Sequence, residues 1–326
     1  MSTTPSTILV TGATGSIGRA LVDRLTRPDV AAAAADAAHP YAVRVLARRP
    51  DQVTAFAERG IDAALGSLDD VASLERAMQG CDQVFLLAPV TPDMEQLARQ
   101  GIDAARSAGV RHVVKVSASD ARTDSPVPWA AAHARTDEHL RISGLEHTVL
   151  RATAFMSNLL DLSPALRRGL LPGTSGAGAT TWIAPEDVAV AAATVLTTPS
   201  RQGGAREAGA MHLLTATPSL SFPEVAEQLT PALGRRVRYV HLPRPFMYLA
   251  TRLGGSSHWE ARGLVRQFAD VVRHTADGVG DYSTALAELM GEEPTSIADY
   301  ARAHLADLAP THARRRSTLV PGTSSH

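Results

Sequence analysis

Four short apolar runs punctuate the first half of the chain: Ile8-Leu9-Val10, Ala42-Val43-Arg44-Val45-Leu46, Gln83-Val84-Phe85-Leu86-Leu87 and His112-Val113-Val114-Lys115-Val116. Between them apolar residues return every three or four positions, over Ile17 to Leu25, Val71 to Met78 and Met94 to Ala108. The first pattern predicts strands and the second amphipathic helices. Runs without polar alternation belong to strands covered on both faces, as in parallel sheets. Gly60, Gly80 and Gly109 stand where helices should end before the next strand, because glycine accepts the left-handed turn of a helix C-terminus. Alternating strands and helices, joined by right-handed crossovers, predict an α/β fold with a doubly wound parallel sheet.

The pattern changes after about Leu150. Gly169 to Gly178 reads as a loop, and Pro185-Glu186-Asp187-Val188-Ala189 opens a helix with proline and acids in its first turn. A strand is expected at Met211 to Leu214, a helix over Ser221 to Leu233, a late strand at Val237 to His241, and mostly helix from Phe246 onward. Residues 151–309 thus divide between the last strands of the sheet and a smaller, mostly helical C-terminal lobe. The alanine run Val30 to Ala38 either lengthens the first helix or forms a surface loop. Residues 310–326, with Arg314-Arg315-Arg316 followed by small polar residues, read as a disordered tail.

Composition narrows the function classes. The 326 residues are 44% hydrophobic and 20% charged, an ordinary globular balance. With 32 Lys+Arg against 33 Asp+Glu there is no global basic field to hold nucleic acid. A lone Cys81 excludes an intramolecular disulfide and any zinc site built on several thiolates. The 12 histidines form no close metal-ligand cluster, so no catalytic metal is expected. No apolar run approaches the ~20 residues of a membrane-spanning helix, and no Gly-x-Ser-x-Gly elbow supports hydrolase chemistry. A cytoplasmic protein acting on a small molecule, away from membranes, is the expectation, as monomer or homodimer.

The sharpest local signal is Thr11-Gly12-Ala13-Thr14-Gly15-Ser16-Ile17-Gly18, directly after a strand and opening a helix. Gly12 permits the tight turn, Gly15 leaves room for a pyrophosphate, and Gly18 lets the helix pack closely on the sheet. Amides at the helix start, those of Ser16 and Ile17 among them, point at phosphate charge. Thr14 completes the loop. This context predicts dinucleotide binding and makes residues 1–150 a Rossmann-type core. The second strand ends in Arg48-Arg49, where an NAD-selective site would carry an acid. Either these arginines grip a 2′-phosphate, which makes the cofactor NADP(H), or they are solvated in a loop.

These residues resemble the atypical short-chain dehydrogenase/reductase family, in its NmrA-like branch. The resemblance runs from about Ile8 to Leu308. It rests on Thr11 to Gly18, Val45-Leu46-Ala47-Arg48, Leu86-Leu87-Ala88-Pro89, and His139-Leu140-Arg141-Ile142-Ser143-Gly144-Leu145. It continues in Thr148-Val149-Leu150-Arg151, Phe155-Met156-Ser157-Asn158, Pro185 to Ala189, and Leu214-Thr215-Ala216-Thr217 before Glu224-Val225-Ala226. It implies Ala88 and Pro89 beside the cofactor ribose, Ser117 near the nicotinamide ribose, and Ala154 and Phe155 flanking the nicotinamide. It places Val90, Trp129, Phe155, Met156 and Asn158 at the substrate cleft. The C-terminal lobe closes that cleft, with Phe246, Tyr248 and Trp259 as wall residues or as ordinary packing aromatics.

The family's usual proton relay is a serine and a Tyr-x-x-x-Lys pair on one helical face. Anchoring on Leu140 and Ser143-Gly144-Leu145 puts Trp129 at the tyrosine position and His133 at the lysine position. Trp129 cannot act as an acid at neutral pH, so the usual pair is missing. His133 either holds the nicotinamide ribose, delivers a proton, or forms a surface pair with Asp137, which stands one turn on and could orient the imidazole. Ser119, nearest to the family's catalytic serine, either polarises a carbonyl or caps its loop; Asp120 and Asp124 read as solvated. The expected activity is NADPH-dependent hydride delivery to a small organic electrophile: a quinone, an imine or iminium, or an enone. The missing pair leaves two alternatives, an NADP(H)-sensing regulator and a fold-retaining non-redox enzyme.

Overall fold

The computed structural model describes residues 6–30, 40–198, 209–272 and 282–308. Most of the alanine run and the tail expected to be disordered lie outside these residues. The first half runs β1 (Ser6–Val10), α1 (Ser16–Leu25), β2 (Tyr41–Ala47), α2 (Pro50–Glu58), β3 (Asp62–Leu65), α3 (Val71–Met78), β4 (Gln83–Leu86), α4 (Met94–Ser107), β5 (His112–Ala118), α5 (Pro128–Ile142) and β6 (Glu146–Ala152). Then come β7 (Ala154–Phe155), α6 (Asn158–Asp161), α7 (Ser163–Leu166), β8 (Leu170–Gly173), β9 (Ala179–Thr180), β10 (Trp182–Ile183), α8 (Pro185–Thr197), β11 (Ala210–Leu214) and β12 (Leu220–Ser221). The described chain continues through α9 (Phe222–Ala232), β13 (Arg238–His241), α10 (Arg244–Leu253), α11 (His258–Arg266) with a π turn at Gln267–Val271, α12 (Ala285–Met290), α13 (Ile297–Ala303) and α14 (Leu305–Leu308).

Seven strands form one sheet in the order β11-β6-β5-β4-β1-β2-β3, and every pairing in it is parallel. The strand order reverses between β1 and β4, the point where α/β sheets open a crevice at their C-terminal edge. The apolar runs alternate between two helical layers. Ile8 and Val10 of β1 join Leu21 and Val22 of α1 and Val188 of α8 on one face. Leu9 joins Leu74 of α3, Ile102 of α4 and Leu140 of α5 on the other. Fully burying one such side chain is worth about 1.5–3 kcal/mol, so each two-sided run pins its strand between both layers. Gly60, Gly80 and Gly109 end helices at φ of +72°, +72° and +75°.

A second core fills the C-terminal lobe. Trp182, Phe222 and Phe268 meet edge to face, at 5.8 Å between Trp182 and Phe222 and 5.5 Å between Phe222 and Phe268, and Leu171, Leu229, Ile297 and Tyr300 complete it. The glycine-rich stretch departs from the loop expectation. Leu170–Gly173 is a strand, paired in parallel with Arg238–His241. Its partner lies far along the chain, so no local pattern announces the pairing. The mostly exposed edge strand β3 likewise carries no apolar run to betray it. Among the described residues no helix is long and apolar enough to cross a membrane.

The closest backbone approach in the glycine turn is at Gly18, where an added Cβ would lie 2.1 Å from Gly12 O and 2.6 Å from Gly12 C. Backbone cannot swing aside as a side chain does. Gly18→Ala should lower stability by about 1–3 kcal/mol, read as a lower urea midpoint; an unchanged midpoint would refute the close packing of α1 on the turn.

Candidate active site

The glycine turn lies at the reversal of strand order. Thr11 is buried, and its hydroxyl ties the ends of β1 and β4 together. The oxygen accepts from Leu87 N at 2.8 Å, with Phe85 O at 3.1 Å and Leu87 O at 3.2 Å available to take its proton. Gly12 turns the chain at φ +65°. Gly15 sits just before α1 and no side chain caps the helix; its first turn carries no acid. An added Cβ at Gly15 would meet only Gly12 O, at 3.4 Å. Gly12, Thr14, Gly15 and Ser16 are exposed, whereas the Ile17 side chain and Gly18 are buried, so Ile17 can offer a ligand only its backbone. An exposed, uncapped helix start free of side-chain obstruction fits a diphosphate.

β2 ends beside this turn, and the structure separates its two arginines. Arg49 is held by Asp51, with Nε and Nη2 at 3.0 and 3.1 Å from the carboxylate. The backbone N–H groups of Arg48 and Arg49 both donate to Gln52 Oε1. Among the described residues the exposed Arg48 guanidinium has no partner. After β4, Ala88 is half-buried, while Pro89 and Val90 are exposed.

Next to the turn lies a buried polar cluster. Because side chains alternate along a strand, Lys115 and Ser117 of β5 face the same layer as Val113, the layer covered by α5; Arg151 of β6 does the same beside Val149. There they meet Asp137. Lys115 Nζ is 2.8 Å from Asp137 Oδ1, and Ser117 Oγ donates to Asp137 Oδ2 at 2.8 Å. Arg151 Nη2 donates to the same Oδ2 at 3.1 Å. Lys115 Nζ also stands 3.5 Å from Nδ1 of His133, one helical turn before Asp137. Lys115 is 2% exposed. Burial lowers its pKa and the Asp137 carboxylate opposes that shift. The His133 imidazole is pushed well below its ordinary 6.5, first by burial and then by the charges of Lys115 and Arg151.

Several expectations change here. Asp137 does not orient His133; it bonds Lys115, Ser117 and Arg151, because strand residues reach the carboxylate first. Ser117, expected beside the ribose, is buried and gives its hydroxyl proton to that carboxylate. Asp120 is not solvated: its Oδ2 is buried without a hydrogen-bond partner among the described residues, and burial pushes its pKa up. Asp124 pairs at the surface with Arg122. Ser119 stands just past β5, half-buried, its N–H donating to Ala152 O at 2.9 Å. Lys115 is not among the residues expected at the site, although a lysine inside a run covered on both faces must be paired.

Trp129 locks α5 to the C-terminal lobe. Its ring meets Trp259 of α11 edge-on at 5.6 Å, and an added Cβ at Gly263 would strike it at 2.1 Å. Tyr248 Oη lies 2.7 Å from His258 Nδ1, and Phe246 is exposed. A cavity of about 430 Å³ opens in this lobe, lined by Asn158, Trp182, Phe222, Met247, Leu264 and Phe268 among others. Asn158 is the one expected cleft residue on its wall. Met156 is fully buried in the lobe core, its N–H bound to Ile183 O, so it cannot touch a substrate as expected. Ala154 and the half-buried Phe155 pair with Trp182 and Ile183 through β7 and β10. Two carboxylates, Asp161 and Glu260, also border the cavity; burial and the Glu260 charge push Asp161 up. Among the described residues no cluster of His, Cys, Asp and Glu could hold a metal ion.

Comparison with known proteins agrees with this geometry. A family described as NAD(P)H-binding matches residues 12–199. A (4-alkanoyl-5-oxo-2,5-dihydrofuran-3-yl)methyl phosphate reductase of Streptomyces griseus is 36% identical over 239 residues, 72% of this chain and 77% of that protein. The NADPH-dependent quinone oxidoreductase of Escherichia coli, solved with NADPH, superposes with a TM-score of 0.75 at 27% identity, over 92% of this chain and 99% of that one. The negative transcriptional regulator NmrA, solved with NADP, shares the fold at a TM-score of 0.68 and 19% identity, over 93% and 96% of the two chains. This chain belongs to the family described as NAD(P)H-binding.

Proposed function

We propose that this NADPH-dependent reductase acts on a small organic electrophile of the quinone, imine or enone type, taken up between the C-terminal edge of the sheet and the C-terminal lobe. The observation that carries the reading is the unobstructed turn from Gly12 to Gly18, with Arg48 beside it unpartnered among the described residues and a cavity with an aromatic wall in the lobe. The two reductase relatives, one named for a phosphorylated oxo-dihydrofuran and one for quinones, support an electrophilic acceptor.

Each part of the chain has a task in this reading. The α1 amides would hold the diphosphate, and Arg48 would take the 2′-phosphate through a charge-assisted pair. Ala88 and Pro89 would border the ribose, and Ala154 and Phe155 the nicotinamide. Bound NADPH supplies a hydride with its electron pair. The aromatic wall of Trp182, Phe222 and Phe268 excludes water from the acceptor's apolar body, and Asn158 offers it a polar contact. Holding both reactants in line is most of what such a transfer asks of the protein.

Calorimetric titration with NADPH and NADH, followed by NADPH consumption with 1,4-naphthoquinone, tests the reading. Tight binding without consumption by any quinone, imine or enone would overturn it. Gly15→Asp places a carboxylate against the diphosphate and should weaken NADPH by at least about 100-fold, roughly 3 kcal/mol; unchanged affinity would remove the site from the turn. Arg48→Ala should weaken NADPH about tenfold and leave NADH nearly unaffected, since only NADPH carries the 2′-phosphate. Equal losses for both would sink Arg48's role.

A further inference from the structure

From the Lys115–Asp137–His133 geometry we infer that Lys115, reaching in from β5, is the positioning residue of a proton relay that ends at His133. The inference rests on the reductase reading and names which acceptors need the relay. It follows from donor and acceptor arithmetic. A lysine ammonium has only hydrogens to offer, so where its Nζ stands 3.5 Å from His133 Nδ1, that nitrogen is the acceptor. The neutral ring then carries its proton on Nε2. Nε2 lies on the side of the imidazole away from Lys115 and has no partner among the described residues. The ring is only half-buried, whereas the lysine behind it is sealed from water.

The charges around the ring favour the same use. Lys115 and Arg151 share the single carboxylate of Asp137, which leaves one positive charge in excess behind the imidazole. Among the described residues no other charged group bonds this cluster; the Asp120 carboxyl lies within electrostatic reach of Arg151, and its own burial pushes its pKa up, toward the uncharged form. Burial first, and then the charges of Lys115 and Arg151, keep His133 neutral and so able to donate from Nε2, and the same charges favour an oxyanion forming in front of it.

The step balances for a quinone. The quinone gains a hydride and its electron pair and is reduced; NADPH is oxidised. The oxygen left with negative charge takes the proton from His133 Nε2 as that N–H bond breaks. The imidazole is made whole at Nδ1 by a proton from the Lys115 ammonium; as the product leaves, a proton from solvent returns to Nε2 on the open side of the ring and the Nδ1 proton passes back to the Lys115 amine, restoring both groups. One proton is consumed per turnover. A cationic acceptor such as an N-alkyl iminium needs none of this, since hydride alone neutralises it. The relay therefore separates two acceptor chemistries in one cleft, and Lys115 takes the role of the lysine that related enzymes keep on the helix.

Two readouts test it on the full-length protein. In ¹⁵N-histidine NMR at pH 7, the His133 signal, assigned by its loss in His133→Gln, should report protonation at Nε2, and Lys115→Met should shift it toward a mixture of tautomers. In the consumption assay, Lys115→Met should lower the ratio of 1,4-naphthoquinone to 10-methylacridinium turnover at least tenfold. A merely structural lysine would lower both turnovers alike, and an equal fall overturns the relay, as does a wild-type His133 protonated at Nδ1. If Lys115→Met does not fold, His133→Gln leaves the Lys115–Asp137 pair intact and should give the same split. Wild-type protein that oxidises NADPH with neither acceptor overturns the reductase reading, and the relay with it.

Discussion

Each strand of the central sheet has to satisfy a helical layer on both faces, and β5 and β6 meet that demand on one face with charge. Val113 and Val149 face α5 as hydrocarbon, but Lys115, Ser117 and Arg151 face it as hydrogen-bond donors. A lone ammonium buried at that depth would be intolerable. Asp137 makes it possible by offering both carboxylate oxygens to three donors on two strands. Truncating Asp137 would leave two cations unpaired in the interior, so this one residue holds the register of α5 against the sheet. The other side chains of α5, His133 and Trp129 included, inherit their positions from that anchor.

The glycine turn and the polar cluster are two ends of one construction. Parallel strands bring their C-terminal ends to the same edge, so the turn after β1, the arginine after β2, the Ala88-Pro89 segment after β4 and Ser119 after β5 gather along it. The layer that carries the cluster is the one covered by α3, α4 and α5. The opposite layer, under α1 and α8, is hydrocarbon over most of its span, and its polar contacts join neighbouring strands: His112 meets Gln83 and Thr148 there.

The C-terminal lobe is joined to this frame by aromatic contact more than by the sheet. Trp129, which the resemblance aligns with the family's tyrosine, has its ring in the space that Gly263 leaves open. A residue that looks like a catalytic loss is therefore a packing gain. It fixes α11, and through it the wall of the cavity that Glu260 and Leu264 border. The aromatic wall of that cavity, Trp182, Phe222 and Phe268, is assembled from segments far apart in the chain.

The local chemistry was legible from the residues themselves. Two-sided apolar runs, helix-ending glycines and the Gly12-Gly15-Gly18 spacing each act over a few neighbours, so the doubly wound sheet and the cofactor turn could be read along the chain. What lay across strands could not. Nothing near Asp137 in sequence says that Lys115 and Arg151 will reach it before His133 does, because that depends on the register of two parallel strands under a helix. Leu170–Gly173 read as a loop because its partner, Arg238–His241, is remote. Met156 looked like a cleft residue until packing against Ile183 and the lobe core buried it. Patterns of period two and three-and-a-half are written in the chain; which charges meet, and which side chains face the cavity, are decided only when distant segments close on one another.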